Sequence, residues 1–174
     1  MSAEQQIGLL AAAVFAVAGM VKGVTGMGLP TVAMALLGAL ISPVAAAGML
    51  LLPSLITNLM QLRGGGLWPL LRRLTPLNVG IVVGTLATSG WLATGSHGAT
   101  TITLGTALSL YALWSLSGAH FTPPARGEAP LSLLVGLCTG LLSGATGVFV
   151  IPAVPWLQAL LSSRDSLIQG LGIA

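Results

Sequence analysis

The chain contains a single lysine, set in a run of glycines. Lys22 stands within Gly19-Met-Val-Lys22-Gly23-Val-Thr25-Gly26-Met-Gly28, at the end of an apolar stretch. An ammonium group within a membrane span is costly, so it reads as functional unless its stem lets it snorkel to the surface or it sits in a surface turn. Glycines at this density either let two helices approach closely or break a helix. A break would present backbone N–H groups and a helix N-terminus to a cavity, where partial positive charge suits an anion. Thr25 would add a hydroxyl donor. Lys22, Gly23, Thr25, Gly26 and Gly28 are therefore candidate substrate-binding residues. Close helix packing is the competing expectation for the glycines.

The same pattern recurs 121 residues further on. Gly140-Leu-Leu-Ser143-Gly144-Ala-Thr146-Gly147 keeps three glycines and one threonine at identical spacing. Downstream, Leu36 aligns with Leu157, Leu40 with Leu161 and Ser42 with Ser163. Ser143, Gly144, Thr146 and Gly147 join the candidates. Ser143 aligns with Lys22, so a shared site would hold one asymmetric charge. Asn58 completes the set: it lies beside Thr57 and three residues before Gln61, on one face of a helix. Interhelical hydrogen bonding is the plainer expectation for Asn58 and Gln61.

These motifs sit in a chain that a soluble fold cannot use. Of 174 residues, six are Lys or Arg and three are Asp or Glu, which is 5% charged, against 55% hydrophobic. A soluble domain carries about 25% charged residues. Too few are available here to keep a surface in water. The reading is an all-α, polytopic transmembrane protein with the lipid bilayer as its solvent. Barrel strands would alternate polar and apolar positions, and these runs are apolar on both faces. The net charge is +3, but no cluster of cations suits a nucleic acid, and no nucleic-acid partner is expected.

Eight apolar segments are expected: Ile7–Val21, Leu29–Ile41, Val44–Leu62, Leu77–Leu92, Ala99–Leu116, Leu131–Leu142, Val148–Leu161, and one starting near Leu167. A crossing helix needs about 20 residues. The first, second, sixth and seventh segments fall short, and each short pair is joined by a Gly-rich turn. Such interrupted pairs in corresponding halves point to a transporter binding site. Residues 1–117 form the first repeat, 118–130 a cytoplasmic loop, and 131–174 the start of a second. The repeats are inverted if all five segments cross, and parallel if one of the short pair is re-entrant. Ala174 aligns with Pro53, so the second repeat is expected to be incomplete and the chain a fragment. The first residues, with Glu4 and no cation, lack the positive start of a signal peptide.

Arg63, Arg72 and Arg73 lie between segments three and four, which places that connection in the cytoplasm by the positive-inside rule. The connection at 93–98 is then outside and the one holding Arg126 and Glu128 inside. Trp91 and Trp114 fall near segment ends and Trp68 in a connection, where aromatic belts form. Other chemistry has little to work with. Cys138 is alone, so no intrachain disulfide or thiolate metal site can form; a small core or lipid-facing role is expected. His97 and His120 fall in connections with too few neighbouring ligands for a metal. Neither a cofactor nor enzymatic activity is expected.

The motif with Lys22, its second copy at 143–147 and the Pro-Val-Ala-Ala-Ala run from Pro43 resemble the sulfite exporter TauE/SafE family. The resemblance spans the chain and is densest at 19–62 and 136–166. It implies a bacterial inner-membrane transporter of sulfite, sulfonates or another small anion, with about twice four spans. Phe149 stands where a glycine opposite Gly28 would fall. A homo-oligomer is compatible with this reading. The alternative is a non-transporting membrane subunit or scaffold packed through its Gly-rich helices.

Overall fold

The computed structural model describes residues 3–25, 29–63, 66–94, 97–118, 127–147 and 152–174. They form eight helices and no strand: α1 (Ala3–Thr25), α2 (Leu29–Leu40), α3 (Pro43–Gln61), α4 (Leu67–Thr94), α5 (His97–Leu116), α6 (Glu128–Thr146), α7 (Ala153–Leu160) and α8 (Arg164–Ile173). Four of them, α1, α3, α4 and α6, are long and apolar enough to cross a bilayer. Helix α2 and the stretch Thr101–Leu116 of α5 are shorter apolar helical runs. Large apolar side chains such as Leu9, Leu52, Leu86, Ile102 and Leu134 point outward, as they do when the surrounding medium is lipid.

Local chemistry sets the helix ends. Ser42 caps α3 by accepting from Ala45 N at 3.1 Å, and Pro43 takes the first helical position, where its missing N–H costs nothing. Ser163 caps α8 in the same way, accepting from Ser166 N at 3.1 Å. Gly147 ends α6 with φ of 72°, a left-handed conformation that glycine adopts without strain, and its N–H donates to Ser143 O at 2.7 Å.

The most extensive helix pair is α4 on α6. Gly80 and Gly84 of α4 face Gly136, Gly140 and Gly144 of α6, and both helices run the same way. A Cβ at Gly84 would fall 2.5 Å from Leu137 O and 2.7 Å from Leu141 N. At Gly140 it would fall 2.8 Å from Thr85 N and nearer still to Ile81 O. The backbones touch, which is the small-xxx-small packing that replaces hydrophobic drive inside a membrane. The two helices are also tied at their starts, where Arg73 donates to Glu128 through Nε at 2.6 Å and Nη2 at 2.9 Å. The starts of α4 and α6 therefore lie at the same end of the pair.

Three expectations are corrected. The first and sixth segments are not short: α1 has 23 residues and α6 has 19. Helix α1 continues past Gly19 and Gly23, and α6 past Gly140 and Gly144 to end at Gly147, because a bilayer leaves the backbone no other hydrogen-bond partners. The fourth helix begins at Leu67, ten residues before the expected Leu77, so Arg72 and Arg73 lie in α4 and not in a connection. Pro69 in its first turn does not prevent this, since no intrahelical donor is lost there. Trp68 and His97 likewise belong to first helical turns.

Candidate functional site

A cavity of about 590 Å³ opens among α1 to α6 and the ends of α7 and α8. Lys22, Thr31, Ser54, Asn58, Gln61, Tyr111 and Ser143 supply its polar wall. Val32, Leu50, Leu55, Ile81, Val154 and Leu171 supply much of its apolar wall. No Asp or Glu is among the described residues that line it.

Lys22 is 9% exposed. Its Nζ donates to Thr57 Oγ1 at 2.9 Å and to Asn58 Oδ1 at 2.6 Å, both on α3. The Thr57 hydroxyl in turn lies 2.8 Å from Pro53 O and 3.1 Å from Ser54 O, to which it donates within its own helix. Lys22 lies one turn before the end of α1. Arg164 Nη2 reaches the same end from α8 and donates to Val24 O at 2.8 Å. A cation there satisfies a terminal carbonyl and complements the negative end of the helix. The first turn of α2, with Pro30, Thr31 and Val32, also lines the cavity.

The candidate residues divide. Lys22, Asn58, Ser143 and Gly147 line one cavity, which brings the aligned positions 22 and 143 onto a common lumen. Gly23 is exposed on α1, a Cβ there would meet no described residue within 4 Å, and it is not among the lining residues. Gly144 is buried against Thr85 O of α4, 2.6 Å from where its Cβ would be. Thr146 is buried and donates to Leu142 O at 2.7 Å. Thr25 closes α1, and its side chain lies outside the described residues, as do Gly26, Gly28, His120, Arg126 and Phe149.

Thr57, Thr31, Ser54 and Tyr111 were not among the candidates. Thr57 had a signal, its place beside Asn58. Tyr111 is the only tyrosine in the chain, and nothing in its local pattern aims it at the cavity. Gln61 lines the cavity with Asn58, as their shared helix face implies. Asn58 also makes the interhelical hydrogen bond expected of it, with Lys22 as its partner. Cys138 is exposed on the outer face of α6.

An all-helical chain, apolar on its outer faces and polar around one cation-bearing cavity, is a polytopic membrane protein. It belongs to the sulfite exporter TauE/SafE family, which matches residues 10–166. That family is one of membrane anion exporters. No curated protein and no solved structure matches the chain.

Proposed function

We propose that this protein is a secondary transporter that exports a small anion, sulfite or an organosulfonate, across the bacterial inner membrane. The observation that carries the reading is Lys22, an ammonium against a cavity whose described lining holds no carboxylate. A cation with only neutral partners keeps its charge available to an anion. Ser143 and the first turn of α2 add donors around the same lumen. A sulfite ion takes up the space of two or three waters at about 30 Å³ each, so the cavity leaves room for an organic body against Leu50, Leu55 and Ile81.

The repeat reading, with 1–117 as one half, 118–130 as a cytoplasmic loop and 131–174 opening the second half, gains support from the helix ends. Thr25 and Thr146 end α1 and α6, and Ser42 and Ser163 cap α3 and α8, each pair 121 residues apart. If five helices cross per half, the two halves are inverted.

The scaffold reading draws on the α4–α6 contact, which gives Gly140 and Gly144 a packing role without a substrate. Vesicle flux separates the two readings. Purified protein in liposomes is expected to move sulfite or ethanesulfonate, and Lys22→Met to abolish that movement while the protein still inserts and folds. A wild-type protein that moves neither anion would leave the scaffold reading standing.

A further inference from the structure

We infer that Thr57 and Asn58 form a neutral latch that holds Lys22 to α3, and that the transported anion opens it. The inference rests on the reading of Lys22 as the anion-binding cation. Helix α1 packs on α2, and α2 on α3; the Lys22 side chain reaches across to α3. An ammonium has three N–H groups, and two of them go to Thr57 Oγ1 and Asn58 Oδ1. An oxyanion is a stronger acceptor than a hydroxyl or an amide oxygen. To meet two oxygens of a sulfonate, Lys22 must withdraw at least one N–H from α3.

The latch is built to let go. Asn58 is an amide; an Asp in its place would be a resident counter-ion that no passing anion displaces easily. Asn58 also lines the cavity beside Lys22, so the ammonium changes partners by a small movement toward the lumen.

Release would be felt in α3. Thr57 and Asn58 lie about one turn beyond Pro53, which lies inside the helix. A proline there removes one ladder hydrogen bond and makes the helix bend most easily at that level. Thr57 is bonded back to the Pro53 carbonyl. The anion thus severs a link between α1 and α3 next to the weakest point of α3, which couples occupancy of the cavity to the angle between these helices.

Titration calorimetry of the purified chain with sodium ethanesulfonate tests the latch. Thr57→Val and Asn58→Leu each remove one competing acceptor at nearly constant shape, and each is expected to tighten binding by about three- to tenfold. Asn58→Asp is expected to weaken it by about tenfold or more. A change that only disturbed packing would not give opposite signs at one position. Weaker binding in both Thr57→Val and Asn58→Leu would overturn the latch and make these groups supports of the anion site. Wild-type affinity in Asn58→Asp would overturn it as well. Lys22→Met is the separate control: if it binds ethanesulfonate like the wild type, the anion-site reading falls, and the latch with it.

Discussion

On α6, Gly136, Gly140 and Gly144 lie against α4 so closely that a Cβ at any of them would meet backbone atoms. On α1, Gly19 and Gly23 have the spacing of Gly140 and Gly144, yet a Cβ at either would meet nothing within 4 Å among the described residues. The residue between the glycines differs too: Ser143 in one helix, Lys22 in the other. The same spacing of small residues thus makes a close helix contact in one place and, among the described residues, none in the other. Glycine spacing defines a flat helix surface, and the neighbouring helix decides its use. The chemistry falls to the residue between the glycines, which in both helices turns to the cavity.

This contrast makes a strong prediction. Gly140→Ala forces a methyl toward Ile81 O and Thr85 N, atoms that move only if a helix moves. Overpacking of this kind costs about 1–3 kcal/mol, occasionally more. Gly19→Ala meets open space and gains helix propensity, for a change of about 1 kcal/mol or less in the stabilising direction. Thermal unfolding of both variants in detergent measures the difference. Equal losses would erase the distinction between the two helices.

Helix α6 is also held near its start by α7. Trp156 of α7 is 1% exposed and donates from Nε1 to Ser132 Oγ at 3.0 Å, with Ser132 equally buried. Trp156→Phe removes that donor and part of the ring. A loss of about 1–2 kcal/mol is expected, smaller than the worst case at Gly140. If Trp156→Phe destabilised more than Gly140→Ala, the contact with α7 and not the glycine face would be the stronger anchor of α6.

Much of this was readable from residues alone. The positions of the eight described helices follow from the apolar runs; Lys22 and Asn58 could be singled out by their polarity in apolar surroundings, and Ser143 by its place opposite Lys22 in the repeat. The helix limits could not. Glycine costs a helix about 1 kcal/mol relative to alanine, which argues for a break at Gly19–Gly23; in lipid, an unpaired backbone group costs several kcal/mol, and the helix continues. Likewise Arg72 and Arg73 read as markers of a connection, because their charge is visible in sequence and the partner of Arg73, Glu128, is not. The different duties of Gly19 and Gly140 were equally hidden, since they depend on where α4 lies.

The smallest effect expected is at that ion pair. Arg73 and Glu128 join the starts of α4 and α6 beyond the glycine contact, and their side chains are 45% and 37% exposed. The geometry is bidentate, which favours the pair, but exposed pairs are screened and contribute about 0.2–1 kcal/mol. If the glycines do most of the work of holding α4 on α6, a double-mutant cycle of Arg73→Gln and Glu128→Gln should return a coupling energy within that range, shrinking as salt is raised. A coupling well above it, insensitive to salt, would mean that the ion pair and not the backbone contact sets the pairing of these helices. The contrast with α1, whose face has glycines at the spacing of Gly140 and Gly144 and an isoleucine, Ile7, where α6 has Glu128, would then rest on the missing charge as much as on the missing neighbour.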